Sequence, residues 1–109
     1  MNDVLKAYVE RADGDSIRVR IMDHALDSPL RAIGFSNAAE QDIYLLRVAD
    51  DKRKAKVFDE LRSLRVAFSA GKEWCPCEVF EYLRDEQLLS GKYLRVAWTQ
   101  PGQYMLTNA

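Results

Sequence analysis

Glycine-rich loops, paired histidines and long apolar runs are all missing from this sequence, and each absence closes off a class of function. Only two cysteines occur, at positions 75 and 77, so no disulfide framework braces the fold and a reducing, cytoplasmic setting is expected. One histidine, His24, has no second imidazole beside it, and two cysteines without further ligands do not make a zinc site. There is no phosphate-cradling G-x-x-x-x-G-K motif, no H-E-x-x-H pair and no defensible Ser–His–Asp set. No apolar stretch approaches the roughly 18 residues of a membrane span, and the charged N-terminus MNDVLKAYVERADGD has no apolar signal core. A dominant charge is lacking too. With 16 basic and 17 acidic residues the net charge is −1, which gives no bulk electrostatic reason to expect nucleic-acid binding.

What is present fits one soluble domain. The 109 residues are 48% hydrophobic and 30% charged, enough for a self-sufficient core. The stretch 64–98 organises the chain: it opens on LRVAF, closes on LRVAW and holds a well-punctuated helix between them. Before it, residues 4–22 predict a hairpin. Leu5, Ala7 and Val9 alternate, Ala12-Asp13-Gly14-Asp15 supplies a turn, and Ile17, Val19 and Ile21 alternate with Arg18 and Arg20. The alternative for the first segment is a short helix capped by Asp3 that buries Val4, Leu5, Tyr8 and Val9. Residues 23–41 are the least regular part: Ser28-Pro29 predicts a turn or extended link, and Gly34 and Ser36-Asn37 add breaks. His24, in this region, reads as exposed or locally hydrogen-bonded.

Ile43–Val48 suits a central strand. Asp50-Asp51 can cap a helix over 51–63, with Val57, Phe58, Leu61 and Leu64 on its apolar face and Lys52, Lys56 and Ser63 opposite. Leu64–Ser69 reads as a strand. Leu-Arg-Val-Ala recurs at 46–49, 64–67 and 94–97, at spacings too irregular for a solenoid, as expected of strands that each keep an arginine on a wetter face. Trp74-Cys75-Pro76-Cys77-Glu78 opens a second helix over about 76–88, with proline at its first position and Cys75 and Glu78 at capping-box spacing. Val79, Phe80, Tyr82 and Leu83 form its buried face, and Ser90-Gly91 the stop. Leu94, Val96 and Trp98 alternate into a strand. Pro101-Gly102 favours a type II turn, whose poor match to hairpin twist predicts a loop of about four residues before the return strand Tyr104–Thr107. The expected fold is therefore α+β: a single small domain spanning residues 1–109, with a mostly antiparallel sheet of about five or six strands and two helices packed on one face. Strands 43–48 and 64–69 should run parallel if they share the sheet.

Three constellations bear on function. Trp74-Cys75-Pro76-Cys77 at a helix start is similar, over about five residues, to the thioredoxin active site, where the helix dipole lowers a thiol pKa. It departs from that family in having one residue between the cysteines instead of two, and too little chain after Cys77 for the rest of that fold. Glu78, Glu81, Asp85 and Glu86 line the polar side of the second helix, where pairing such as Glu81 with Arg84 is expected and acid–base chemistry is not. The segment 52–65 carries six basic and two acidic residues, +4 within a chain of net charge −1. It invites a winged-helix, nucleic-acid-binding reading, but the helix that precedes the terminal hairpin is the acidic one. By elimination the sequence points to a non-enzymatic protein-binding module, a regulator or inhibitor of a larger complex, with no cofactor, no metal and no membrane partner. Small accessory proteins of mobile elements share this character. The expected docking residues are Lys52, Arg53 and Lys56 on the basic helix and Glu81 and Asp85 on the acidic one.

Overall fold

Alternating burial at Ala7 and Val9, and again at Ile17, Val19 and Ile21, shows why the first two segments become strands: every second side chain enters one core. The computed structural model describes residues 5–38, 42–71 and 74–109. In it β1 (Ala7–Arg11) and β2 (Ser16–Ile21) form the expected hairpin. Of the alternative N-terminal helix, Asp3 and Val4 lie outside the described residues, and residues 7–11 are strand. Then follow a 3-10 turn His24–Leu26, α1 (Asp27–Ile33), β3 (Ser36–Asn37), β4 (Ile43–Arg47) and α2 (Asp51–Ser63). After these come β5 (Ala67–Ser69), α3 (Pro76–Asp85), β6 (Leu94–Gln100) and β7 (Gln103–Asn108).

The strands form one mixed sheet in the order β3-β4-β2-β1-β5-β6-β7. Four neighbouring pairs are antiparallel, and β5 runs parallel to both β1 and β6. β4 and β5 do run in the same direction, but β2 and β1 stand between them. The main core lies on one face, where Leu30 of α1, Phe58 and Leu61 of α2, and Phe80 and Leu83 of α3 meet Val9, Val19 and Phe68. Phe58, Phe68, Phe80 and Tyr93 form its aromatic centre, with ring centroids 4.3–6.0 Å apart. The fold is α+β, as the residue pattern predicts. Among the described residues the sheet has seven strands rather than five or six, and three helices pack on it rather than two.

The departures have local causes. Pro29 sits in the first turn of α1, where a missing N–H costs nothing, so Ser28-Pro29 starts a helix instead of an extended link. Gly34, at φ 124°, ends it. Leu64 closes α2 and Arg65 turns left-handed at φ 61°, so β5 begins only at Ala67 and the repeat at 64–67 straddles a helix end. α3 stops at Asp85, and Gln87 at φ 63° turns the chain out. Its N-cap Cys75 makes no side-chain capping bond; Glu78 reaches back to the Trp74 amide instead, at 2.7 Å. Tyr82 is 38% exposed and lies off the buried arc. Pro101-Gly102 makes a two-residue turn with Gly102 at φ 79°, not a longer loop; a register shift between Trp98 and Gln100 absorbs the mismatch in twist.

Candidate functional site

The sheet face turned away from the helices leaves part of its apolar surface uncovered, as do Met22 and, by the helices, Trp74 and Tyr82. Pairing aligns Val96 with Leu106 and Trp98 with Tyr104 on this face. Tyr8 sits opposite Ala67 and Arg20. Leu5, Ala67 and Val96, with Tyr8, Leu94 and Leu106 against them, make a small apolar cluster separate from the main core. Trp98 stands between two tyrosines, its ring 5.4 Å from Tyr8 and 5.6 Å from Tyr104, edge to face in both contacts. The Leu5 amide donates to Tyr104 Oη at 3.3 Å. Trp98 is still 42% exposed and Tyr104 36%. Burial first, and then the Glu10 carboxylate, raise the Tyr8 phenol above its ordinary pKa. Glu10 also takes Arg18 at 3.1 Å and Arg20 at 3.6 Å, so the arginines beside the aromatic row are ion-paired.

β7 borders this face and is an edge of the sheet, with no strand beyond it among the described residues. Its backbone groups can be assigned from the end of the hairpin. Tyr93 and Ala109 exchange both N–H···O=C bonds, at 3.4 and 2.9 Å, and hydrogen-bonded pairs alternate along an antiparallel ladder. The next such pairs are Arg95–Thr107 and Ala97–Met105. Tyr104, Leu106 and Asn108 therefore turn their N–H and C=O groups outward. No charged side chain occurs from 96 to 109, and Met105 is 56% exposed. Edge strands are usually blunted by shortness, charge or proline. β3, at the other edge, is two residues long; β7 is six and has none of these devices.

No family model, curated protein or solved structure matches the chain.

The expected docking residues occupy a different part of the molecule. Lys52, Arg53 and Lys56 are exposed on α2, and Glu81 and Asp85 on α3. Lys52 and Lys56 line a shallow 300 Å³ groove with Asp59, Arg62 and the turn after α3. Glu81 accepts a bond from Tyr93 Oη at 3.3 Å and lies 3.9 Å from Arg84, the pairing foreseen for it. These five side chains lie on the helical side, away from the aromatic row.

Lys54, in the same basic run, is the residue that the sequence reading passed over. It is 5% exposed, and its ammonium donates to the carbonyls of Ala12 and Gly14, both at 2.8 Å, tying α2 to the β1–β2 turn. Burial lowers its pKa. Its spacing from Val57, Phe58 and Leu61 places it in the buried arc, and that phase was the available signal. It floors a 410 Å³ cleft walled by Trp74 and Tyr82. The polar groups there are already engaged: Lys54 with two carbonyls, and Asp51 with Tyr82 Oη at 2.9 Å.

The remaining chemistry-bearing residues have local partners. His24 Nδ1 lies 3.0 Å from Asp27 Oδ2, and Tyr44 Oη donates to Asp27 Oδ1 at 2.7 Å. That bond from Tyr44 is the main reason the Asp27 carboxyl titrates below its usual range. The cluster fastens α1 to β4. Cys77 is buried, its thiol donating to the Phe68 carbonyl, and burial pushes its pKa up to about 11, opposite to what thiol redox chemistry needs. Among the described residues no three His, Cys, Asp or Glu side chains gather as a metal site, and no helix is long and apolar enough to cross a membrane.

Proposed function

We propose that this chain is a small, non-enzymatic, cytoplasmic protein-binding module, a regulator or inhibitor of a larger complex, and that it docks through the open face and free edge of β6–β7. One observation carries the reading: the partly exposed row Tyr8–Trp98–Tyr104 borders an uncharged strand whose outward amides and carbonyls have no strand beside them among the described residues. Tryptophan, tyrosine and methionine are the side chains enriched at protein interfaces, and a bare edge takes a partner strand with its own backbone bonds. Nucleic acid fits this surface less well, since a single strand needs cations that track its backbone and the hairpin supplies none after Arg95. Against the winged-helix alternative, β6–β7 is part of a seven-stranded sheet and the helix before it carries Glu78, Glu81, Asp85 and Glu86.

The test is affinity capture from extract of the producing cells with three baits. These are wild type, Trp98→Ala/Tyr104→Ala, and Lys52→Glu/Arg53→Glu/Lys56→Glu. All three should fold, because every changed side chain is exposed. The expected result is a protein held by the wild type and the charge-reversed helix but lost from the aromatic double variant. Loss from the helix variant alone would move the docking surface to α2. A salt-dependent gel shift of nucleic acid by the wild type would replace the reading altogether.

A further inference from the structure

We infer that the first occupant of the β7 edge is a second copy of this chain, paired antiparallel about a two-fold axis at Leu106. This rests on the reading of β7 as a docking edge and names its partner. The outward groups belong to Tyr104, Leu106 and Asn108, spaced two apart and symmetric about Leu106. Antiparallel pairing of two such edges sets Leu106 opposite its own copy, and Tyr104 opposite Asn108 of the other chain at both ends. All three outward positions are then satisfied in each chain, with about six new backbone hydrogen bonds.

Side chains agree with that register. Leu106 already packs against the small cluster of Leu5, Ala67 and Val96, so a Leu106–Leu106 contact joins two such clusters across the axis. On the other face Met105 comes beside Thr107 of the second copy. An isologous interface sets each residue near its own kind, so any charge close to the axis would face itself. This strand has none, because 96–109 is free of Asp, Glu, Lys and Arg. Such a sequence penalises no self-pairing, whereas a strand built for a foreign partner gains from charges that exclude its own copy. A two-fold axis normal to the sheet leaves both aromatic rows on one side, so the dimer offers a single continuous face with two equivalent Trp98 sites. The contact is small, so its stability is modest.

Sedimentation or light scattering of the whole chain, from about 5 to about 500 µM, reads the association directly, the span expected of so small an interface. The wild type should rise reversibly toward twice its monomer mass. Leu106→Pro and Asn108→Pro each remove one outward N–H without touching a bond to β6, and each should stay monomeric with an unchanged circular dichroism spectrum. Two positions are used so that a folding defect at one does not decide the matter. A wild type that stays monomeric throughout overturns the inference, as does a folded proline variant that still dimerises. A monomer that nevertheless captures a partner through Trp98 and Tyr104 would leave the protein-binding reading standing, with a foreign strand as occupant. A dimer that captures nothing would reverse that outcome.

Discussion

Among the charged residues described, Lys54 is the buried one and has the most to lose on substitution. Its ammonium donates to two carbonyls, that of Ala12 buried and that of Gly14 at the cleft, and a buried acceptor left without a donor costs about 1–3 kcal/mol. Lys54→Ala should therefore lower unfolding stability by about 1–3 kcal/mol in a urea melt, whereas exposed Lys56→Ala should shift it by less than about 0.5 kcal/mol. Equal small effects would mean that the buried lysine does not hold the β1–β2 turn. Cys77 offers a test by pH. Burial raises its thiol from an ordinary 9.0 to about 11, so the folded chain keeps a proton that the unfolded chain gives up. The stability this provides is complete below about pH 9 and is lost as pH rises through about 11. Lys54, lowered by burial, pulls the other way in the same range, so the informative quantity is the difference between wild type and Cys77→Ala. That difference should shrink between about pH 8 and about pH 11; a constant difference would contradict a buried thiol. The cysteine motif was legible as a helix start and Pro76 as its first residue. The sign of the thiol shift was not, because depth of burial depends on Phe68 and Tyr93, which are distant in sequence.

At the scale of elements, helix phase was the most legible feature and the sheet's neighbour order the least. The span 51–63 follows from Asp50 as cap and an apolar period of 3.6, and Phe58, Leu61, Phe80 and Leu83 are all fully buried. Truncating Phe80 to alanine should cost about 3–5 kcal/mol in a denaturant melt, while Glu81→Ala should cost about 0.5 kcal/mol or less. The reverse order would turn α3 over. α1 was hidden because the propensity of Ser28-Pro29 to break a helix holds for its interior and not its first turn. β5 was legible as a strand but not its bounds: it is three residues, Ala67–Ser69, within the expected 64–69, and its place between β1 and β6 is fixed by contacts far along the chain. The candidate site shares that difficulty. Trp98 and Tyr104 read as ordinary alternating strand residues, and only the strand order shows that β7 has no neighbour on one side among the described residues.

For the whole molecule, the layout is a helical side that closes the core and an open side that ends in a bare edge. Charge marks the helical side, with Lys52, Arg53 and Lys56 on α2 against Glu81 and Asp85 on α3, while the β6–β7 end after Arg95 carries none. Sequence reasoning followed charge and so looked to the helices for a docking surface; the surface we propose lies at the uncharged end. The most direct measurement is amide hydrogen exchange along β7 by NMR, at low and at high protein concentration. At low concentration Met105 and Thr107, bonded to β6, should be protected, while Tyr104, Leu106 and Asn108 should exchange at nearly the rate of an open chain. At high concentration the same three amides should become protected. Protection of Tyr104, Leu106 and Asn108 that does not change with dilution would mean that the edge is already covered within one chain, and would contradict the account at its centre.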